Sequence, residues 1–133
     1  MSSPYPDRLL ELARRPADTA EIQGPRRRGE ATNPLCGDEV AVDVSTVGGR
    51  VAELAHRSRG CAFVRASAAA LWDEVPGLTL AEAAALAEAV RHALSHEGEL
   101  PPGLEVLGSV RAFPARVRCA TLPWEALEAA LSG

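Results

Sequence analysis

Val40, Val42 and Val44 alternate with Ala41, Asp43 and Ser45, the period-two pattern of a strand with one buried face. Val47 leads into Gly48-Gly49, and Val51–Arg57 follows. The glycine pair supplies the positive φ values of a tight turn, so the segment predicts a β-hairpin. Ahead of it, Asp7–Arg15 sets Leu9, Leu10, Leu12 and Ala13 at helical spacing. That predicts a short amphipathic helix ending before Pro16. Residues Ala17–Asn33 are polar and interrupted by Gly24, Pro25 and Gly29. They read as loop, and the Arg26–Arg28 run reads as a solvated stretch rather than a basic contact patch.

The second half has helical patterning. Ala62–Trp72 is rich in Ala, Pro76-Gly77 marks a turn, and Thr79 with Glu82 forms a capping box ahead of a helix over Leu80–Leu94. Pro101-Pro102-Gly103 breaks the chain again, and Leu104–Val110 reads as one short helix. Phe113-Pro114 is extended or turn, because a residue before proline avoids the α region. Thr121 is expected to cap a last helix through about Leu131, with Pro123 tolerated in its first turn. The expected architecture is α+β, a small antiparallel sheet packed against several α-helices.

A chain of 133 residues, 47% hydrophobic and 24% charged, has the size and apolar content of a single folded domain, expected to span residues 1–133. No apolar run approaches the length of a membrane span, and Met1–Tyr5 carries no secretory pattern. The expectation is a cytoplasmic protein with no membrane partner. A net charge of −4 argues against a nucleic-acid partner, since phosphate contacts need a cationic surface. All fourteen basic residues are Arg, so no lysine-based mechanism operates.

The three cysteines carry the candidate chemistry. An odd number without a signal peptide speaks against a disulfide framework. No CxxC pair occurs. Cys36 lies in Asn33-Pro34-Leu35-Cys36-Gly37-Asp38, immediately before the hairpin. Cys61 follows Gly60 at a strand-to-helix junction. Cys119 falls two residues before Thr121. Cys61 and Cys119 thus precede expected helix N-termini, where the dipole favours a thiolate. Asp38, two residues after Cys36, can turn toward the same centre. Three sulfurs and one carboxylate oxygen complete the tetrahedron that zinc prefers. Such a site would be net negative, and Arg118 is a candidate to offset part of that charge. The residues alone leave two readings open: a metal or persulfide site, or three unrelated thiols with Asp38 an ordinary strand-edge acid.

His92 and His96 are i and i+4 on one helix, but no Glu follows the first His as in H-E-x-x-H, so they read as surface histidines near a helix C-terminus. There is no GxGxxG or phosphate loop, and Ser67 lacks a nucleophile-elbow context. Trp124 and Leu127 read as core residues.

Three motifs resemble the iron–sulfur cluster assembly family that includes IscU, the N-terminal domain of NifU, and SufU. Asn33–Asp38 resembles its N-P-x-C-G-D loop. Gly60-Cys61 with Ala66-Ser67-Ala68 resembles its G-C…A-S-A segment. Phe113–Trp124 resembles the F-P-A-R-I-K-C-A-T-L-x-W stretch of SufU-like members. Arg118 stands where IscU proteins have a His, and the interval from Cys61 to Cys119 is of the longer SufU kind; both favour the SufU branch. The N-terminal H-Y-x-x-P-R-N pattern of the family is largely lost in Leu12–Asp18, and Val64 and Ala69 replace two of its serines.

The resemblance implies the α+β fold of the family and one Zn²⁺ held by Cys36, Asp38, Cys61 and Cys119. It implies that Cys36 accepts persulfide sulfur from a cysteine desulfurase of the SufS type, whose own His displaces Cys36 from the metal. The sulfur then passes to a SufBCD-type scaffold complex. Two alternatives accompany it. One is an IscU-type scaffold binding iron or a [2Fe–2S] cluster. The other is a zinc-stabilised adaptor without sulfur chemistry.

Overall fold

The computed structural model describes residues 5–96 and 98–132. Its elements run α1 (Asp7–Ala13), β1 (Arg27–Asn33), β2 (Asp38–Val47), β3 (Arg50–Arg59), α2 (Ala62–Glu74) and α3 (Leu80–His96). Two 3₁₀ segments follow, Glu105–Ala112 and Pro114–Arg116, and then α4 (Val117–Ser132). The architecture is the expected α+β.

The hairpin forms where the valine alternation and the glycine pair place it. Val47 pairs with Arg50, and Gly48 and Gly49 take φ of 60° and 77° between them. Val40, Val42 and Val44 all turn inward and are buried. The capping box of α3 is also present: Glu82 N–H donates to Thr79 Oγ1 at 3.0 Å, and Thr79 N–H to Glu82 Oε1 at 2.9 Å.

Two features depart from the sequence reading. The stretch read as loop contains a third strand. β1 pairs antiparallel with β2, from Arg27 opposite Val44 to Asn33 opposite Asp38, so the sheet order is β1-β2-β3. No hydrophobic alternation marks it, because its core-facing positions are Gly29, Ala31 and Asn33. The reason is the packing of α4. A Cβ on Gly29 would fall 2.0 Å from the Ala126 carbonyl oxygen and 2.3 Å from the Ala130 nitrogen. Helix and strand backbones meet there, and only glycine leaves the room.

The second departure is the start of α4, which lies at Val117 and not after Thr121. Pro114 opens a 3₁₀ turn that runs straight into the helix, a position where its missing N–H costs nothing. Thr121 therefore sits inside α4. Its hydroxyl lies 3.2 Å from the Arg118 carbonyl and 2.9 Å from Glu125 Oε2, capping nothing. Pro123 is likewise interior, and deprives the Cys119 carbonyl of its helical donor.

α4 lies across β1 and β2, with α2 and α3 on its flanks and α1 against α2. Trp124, Phe63, Leu71, Leu122 and Leu127 fill the space between them. No helix is long and apolar enough to cross a membrane, among the described residues. The antiparallel register brings the β1–β2 turn and the end of β3 to the same edge of the fold, since Asn33 faces Asp38 and Glu39 faces Arg59. The chain segments carrying the cysteines meet at that edge.

Candidate metal centre

Cys36 sits in the turn that joins β1 to β2. Its N–H and that of Gly37 both donate to the Asn33 carbonyl, at 3.1 and 2.9 Å. The thiol is exposed, and the neighbouring Leu35 side chain is 96% exposed. Asp38 opens β2 and is buried. Cys61 occupies the N-cap of α2 with extended backbone, half-buried. Cys119 is in the first turn of α4 and buried.

Ligand atoms of Cys36, Asp38 and Cys119 all lie within 4.8 Å of one another. The Cys119 thiol donates to Asp38 Oδ2 at 3.0 Å. Cys61 stands outside this threefold group but adjoins Cys119, whose protonation it influences by hydrogen bonding and by charge. Burial above all, then the bond to Asp38, pushes the Cys119 thiol well above its usual value. The lowering expected of a helix N-terminus is not found at Cys119, where desolvation is the largest influence.

The surroundings leave room for this group and little else. Gly60 presses on Asp38: a Cβ there would lie 2.6 Å from Asp38 Oδ1 and 2.8 Å from the Val64 side chain. Behind the cluster, Trp124 Nε1–H donates to Ser67 Oγ at 2.8 Å, and the Ser67 hydroxyl donates to the Ala120 carbonyl at 2.6 Å. These three groups are buried and fix α2 against the turn of α4 that carries Cys119. The serine of Ala66-Ser67-Ala68 thus has a positioning role that sequence patterning did not distinguish. Tyr5, Phe63 and Phe113 pack as a ring cluster with centroids 5.4 to 5.7 Å apart, beside the N-terminus of α2.

Arg118 is engaged away from the thiols. Its guanidinium pairs with Glu125 at 3.2 Å and donates to the Thr32 carbonyl at 3.3 Å. The arginine near the thiols is Arg116, whose pKa is raised chiefly by its proximity to Cys61. Its signal in the sequence was the third motif, Phe113-Pro114-Ala115-Arg116. Trp124 is a core residue, as expected. His92 and His96 are on α3 and contribute nothing to the cluster.

Two thiols and a carboxylate converge here as donors for a borderline-soft divalent ion, with the Cys61 thiol near Cys119 but outside the group, and a thiol proton bridges Cys119 and Asp38. The set therefore fits zinc, and it also fits iron.

The sequence profile of the NifU-like N-terminal domain matches residues 4–133. The chain is 30% identical over 129 residues to the iron–sulfur cluster assembly scaffold protein IscU of Streptococcus pyogenes serotype M1, covering 92% of this chain and 79% of that protein. It is 28% identical over 118 residues to the zinc-dependent sulfurtransferase SufU of Bacillus subtilis strain 168, covering 80% of each. The crystal structure of the N-terminal part of a nitrogen-fixing NifU-like protein from Brucella abortus superposes with a TM-score of 0.87 at 25% identity, over 96% of this chain and 91% of that one. With this fold and these three motifs, the chain belongs to the NifU-like N-terminal domain family, the family of the iron–sulfur cluster assembly proteins IscU and SufU.

Proposed function

We propose that this protein is a zinc-dependent sulfur acceptor and relay of the SufU kind, acting in iron–sulfur cluster assembly. The observation that carries the reading is the convergence of Cys36, Asp38 and Cys119 within 4.8 Å, with Cys36 alone exposed among the three. Cys36, Asp38, Cys61 and Cys119 would hold the ion. When bound, zinc keeps these thiols deprotonated at neutral pH and shields them from oxidation.

The roles divide by burial. Asp38 and Cys119 are enclosed and serve as fixed ligands. Cys36, on an exposed turn, is the thiol a partner reaches. Its thiolate attacks the outer sulfur of a persulfide on the donor protein. A new S–S bond forms on Cys36, the donor's S–S bond breaks, and the donor cysteine leaves as thiolate. A cysteine desulfurase of the SufS type is the donor in this reading, and a SufBCD-type scaffold the recipient. The name of the Bacillus subtilis relative, a zinc-dependent sulfurtransferase, supports it. So does Arg118 in the position where IscU-type members have His.

A second reading, a scaffold for a [2Fe–2S] cluster, is favoured by the similarity to the Streptococcus pyogenes scaffold protein. A purely structural zinc adaptor is disfavoured by the exposure of Cys36, since structural sites are closed.

The test is transfer of radiolabelled sulfur from cysteine through a desulfurase. The wild type should take up label in a form released by thiol reductant. Cys36→Ser should take up none while still binding the desulfurase. Transfer that survives this substitution overturns the acceptor role.

A further inference from the structure

A cavity of about 260 Å³ lies where the loop after α1 meets β3 and α2. Thr19, Ala20, Ile22 and Leu54 line it together with the indole of Trp72. Trp72 is 38% exposed, unusual for so large an apolar side chain in this fold. Its ring is fixed in place. Nε1–H donates to the Leu54 carbonyl at 3.1 Å, and the His56 ring packs against it at 76°. With its one donor used, the indole meets an occupant only through its π surface. Glu21 and Glu53 also line the cavity, and both are exposed. Neither makes a hydrogen bond or ion pair among the described residues. Arg28, which feels the charge of Glu21, is held by Asp43 through two bonds of 2.7 and 2.8 Å. Asp73, next to Trp72, is already taken by Arg15.

We propose that this cavity receives an arginine side chain presented by a partner protein, seated on Trp72 and held by Glu21 and Glu53. Size argues for a single side chain, since pockets for drug-sized molecules run roughly 300–1,000 Å³. The two unpaired carboxylates select a cation. Planarity selects guanidinium over ammonium, because it stacks on an aromatic face and offers carboxylates a fork of donors. The apolar walls take up the aliphatic stem, so the occupant buries carbon as well as charge. The cavity is remote from the thiols. Glu53 precedes Arg59 by six residues on β3, about 20 Å along the strand from the edge where the cysteines meet. A partner seated here leaves Cys36 free, and the inference is independent of the proposed sulfur relay.

The test titrates acetyl-Gly-Arg-Gly-amide into the isotope-labelled full chain at neutral pH and low salt. NMR follows the indole N–H signals of Trp72 and Trp124. The Trp72 signal should shift saturably, with a dissociation constant in the millimolar range, and the buried Trp124 signal should stay in place. Glu21→Gln combined with Glu53→Gln should weaken binding about threefold or more. Trp72→Leu should weaken it as well, read from the backbone amides of Thr19 and Ala20. Acetyl-Gly-Lys-Gly-amide should bind less tightly than the arginine peptide. No saturable shift at Trp72, unchanged affinity in the glutamine variant, or equal or tighter binding of the lysine peptide overturns the proposal.

Discussion

The thiol of Cys119, in the first turn of α4, donates to Oδ2 of Asp38 at the start of β2, 3.0 Å away and 81 residues apart in sequence. A proton therefore links two groups that a metal ion would otherwise link. The three thiols are consequently unequal in the metal-free protein. Cys36 is exposed, Cys61 half-buried, and Cys119 buried with its pKa pushed up by desolvation.

Alkylation kinetics check that ranking. With metal removed, iodoacetamide should modify Cys36 first and Cys119 last at neutral pH, because only an accessible thiolate reacts. Peptide mapping of the modified chain gives the order. Early modification of Cys119 would contradict it.

Gly60 sets the position of Asp38. Gly60→Ala drives a methyl to 2.6 Å from Asp38 Oδ1, so the carboxylate must move. We expect metal affinity to fall about tenfold or more, with a stability loss of about 1–3 kcal/mol. Metal competition with a chromogenic chelator and urea unfolding measure the two effects separately.

The chain from Trp124 through Ser67 to Ala120 is buried throughout. Ser67→Ala leaves the indole N–H without a partner and should cost about 1–3 kcal/mol. Ser67→Thr keeps a hydroxyl but adds a methyl to a full core. Urea midpoints should place both variants below the wild type.

His56 is 2% exposed, packs edge-on to Trp72, and has no hydrogen-bond partner for either ring nitrogen among the described residues. Burial lowers its pKa to about 4, against a smaller opposing pull from Asp18. The folded state thus favours the neutral ring. Its contribution is fully present above the unfolded value of about 6.5 and is lost as pH falls from there toward 4. That difference corresponds to about 3 kcal/mol. The drop in unfolding free energy from pH 7 to pH 4.5 should be smaller in His56→Leu than in the wild type. Equal drops would show that His56 titrates as it does unfolded.

Much of this was legible in the sequence where side-chain pattern controls structure. The Val40–Val44 alternation, the Gly48-Gly49 turn and the Thr79–Glu82 box each determine their element locally. β1 was illegible because its inward positions are set by the α4 backbone pressed against Gly29, a contact between segments nearly a hundred residues apart. The start of α4 was misplaced for a related reason. Thr121 has the composition of a cap, but the helix is nucleated upstream by the turn at Pro114. At the cluster, the motifs named Cys36, Asp38, Cys61 and Cys119, whereas charge alone suggested Arg118. Which of Arg116 and Arg118 turns toward the thiols depends on where the helix begins, and that was not readable.

The most direct measurement is bound metal per chain, by elemental analysis of protein purified without air or chelator, alongside Asp38→Ala and Cys119→Ser. About one zinc per chain is expected, lost in both variants. Iron with acid-labile sulfide would replace the relay with the cluster scaffold. No metal, with three freely titrating thiols, would contradict the convergence of the ligand set on one ion.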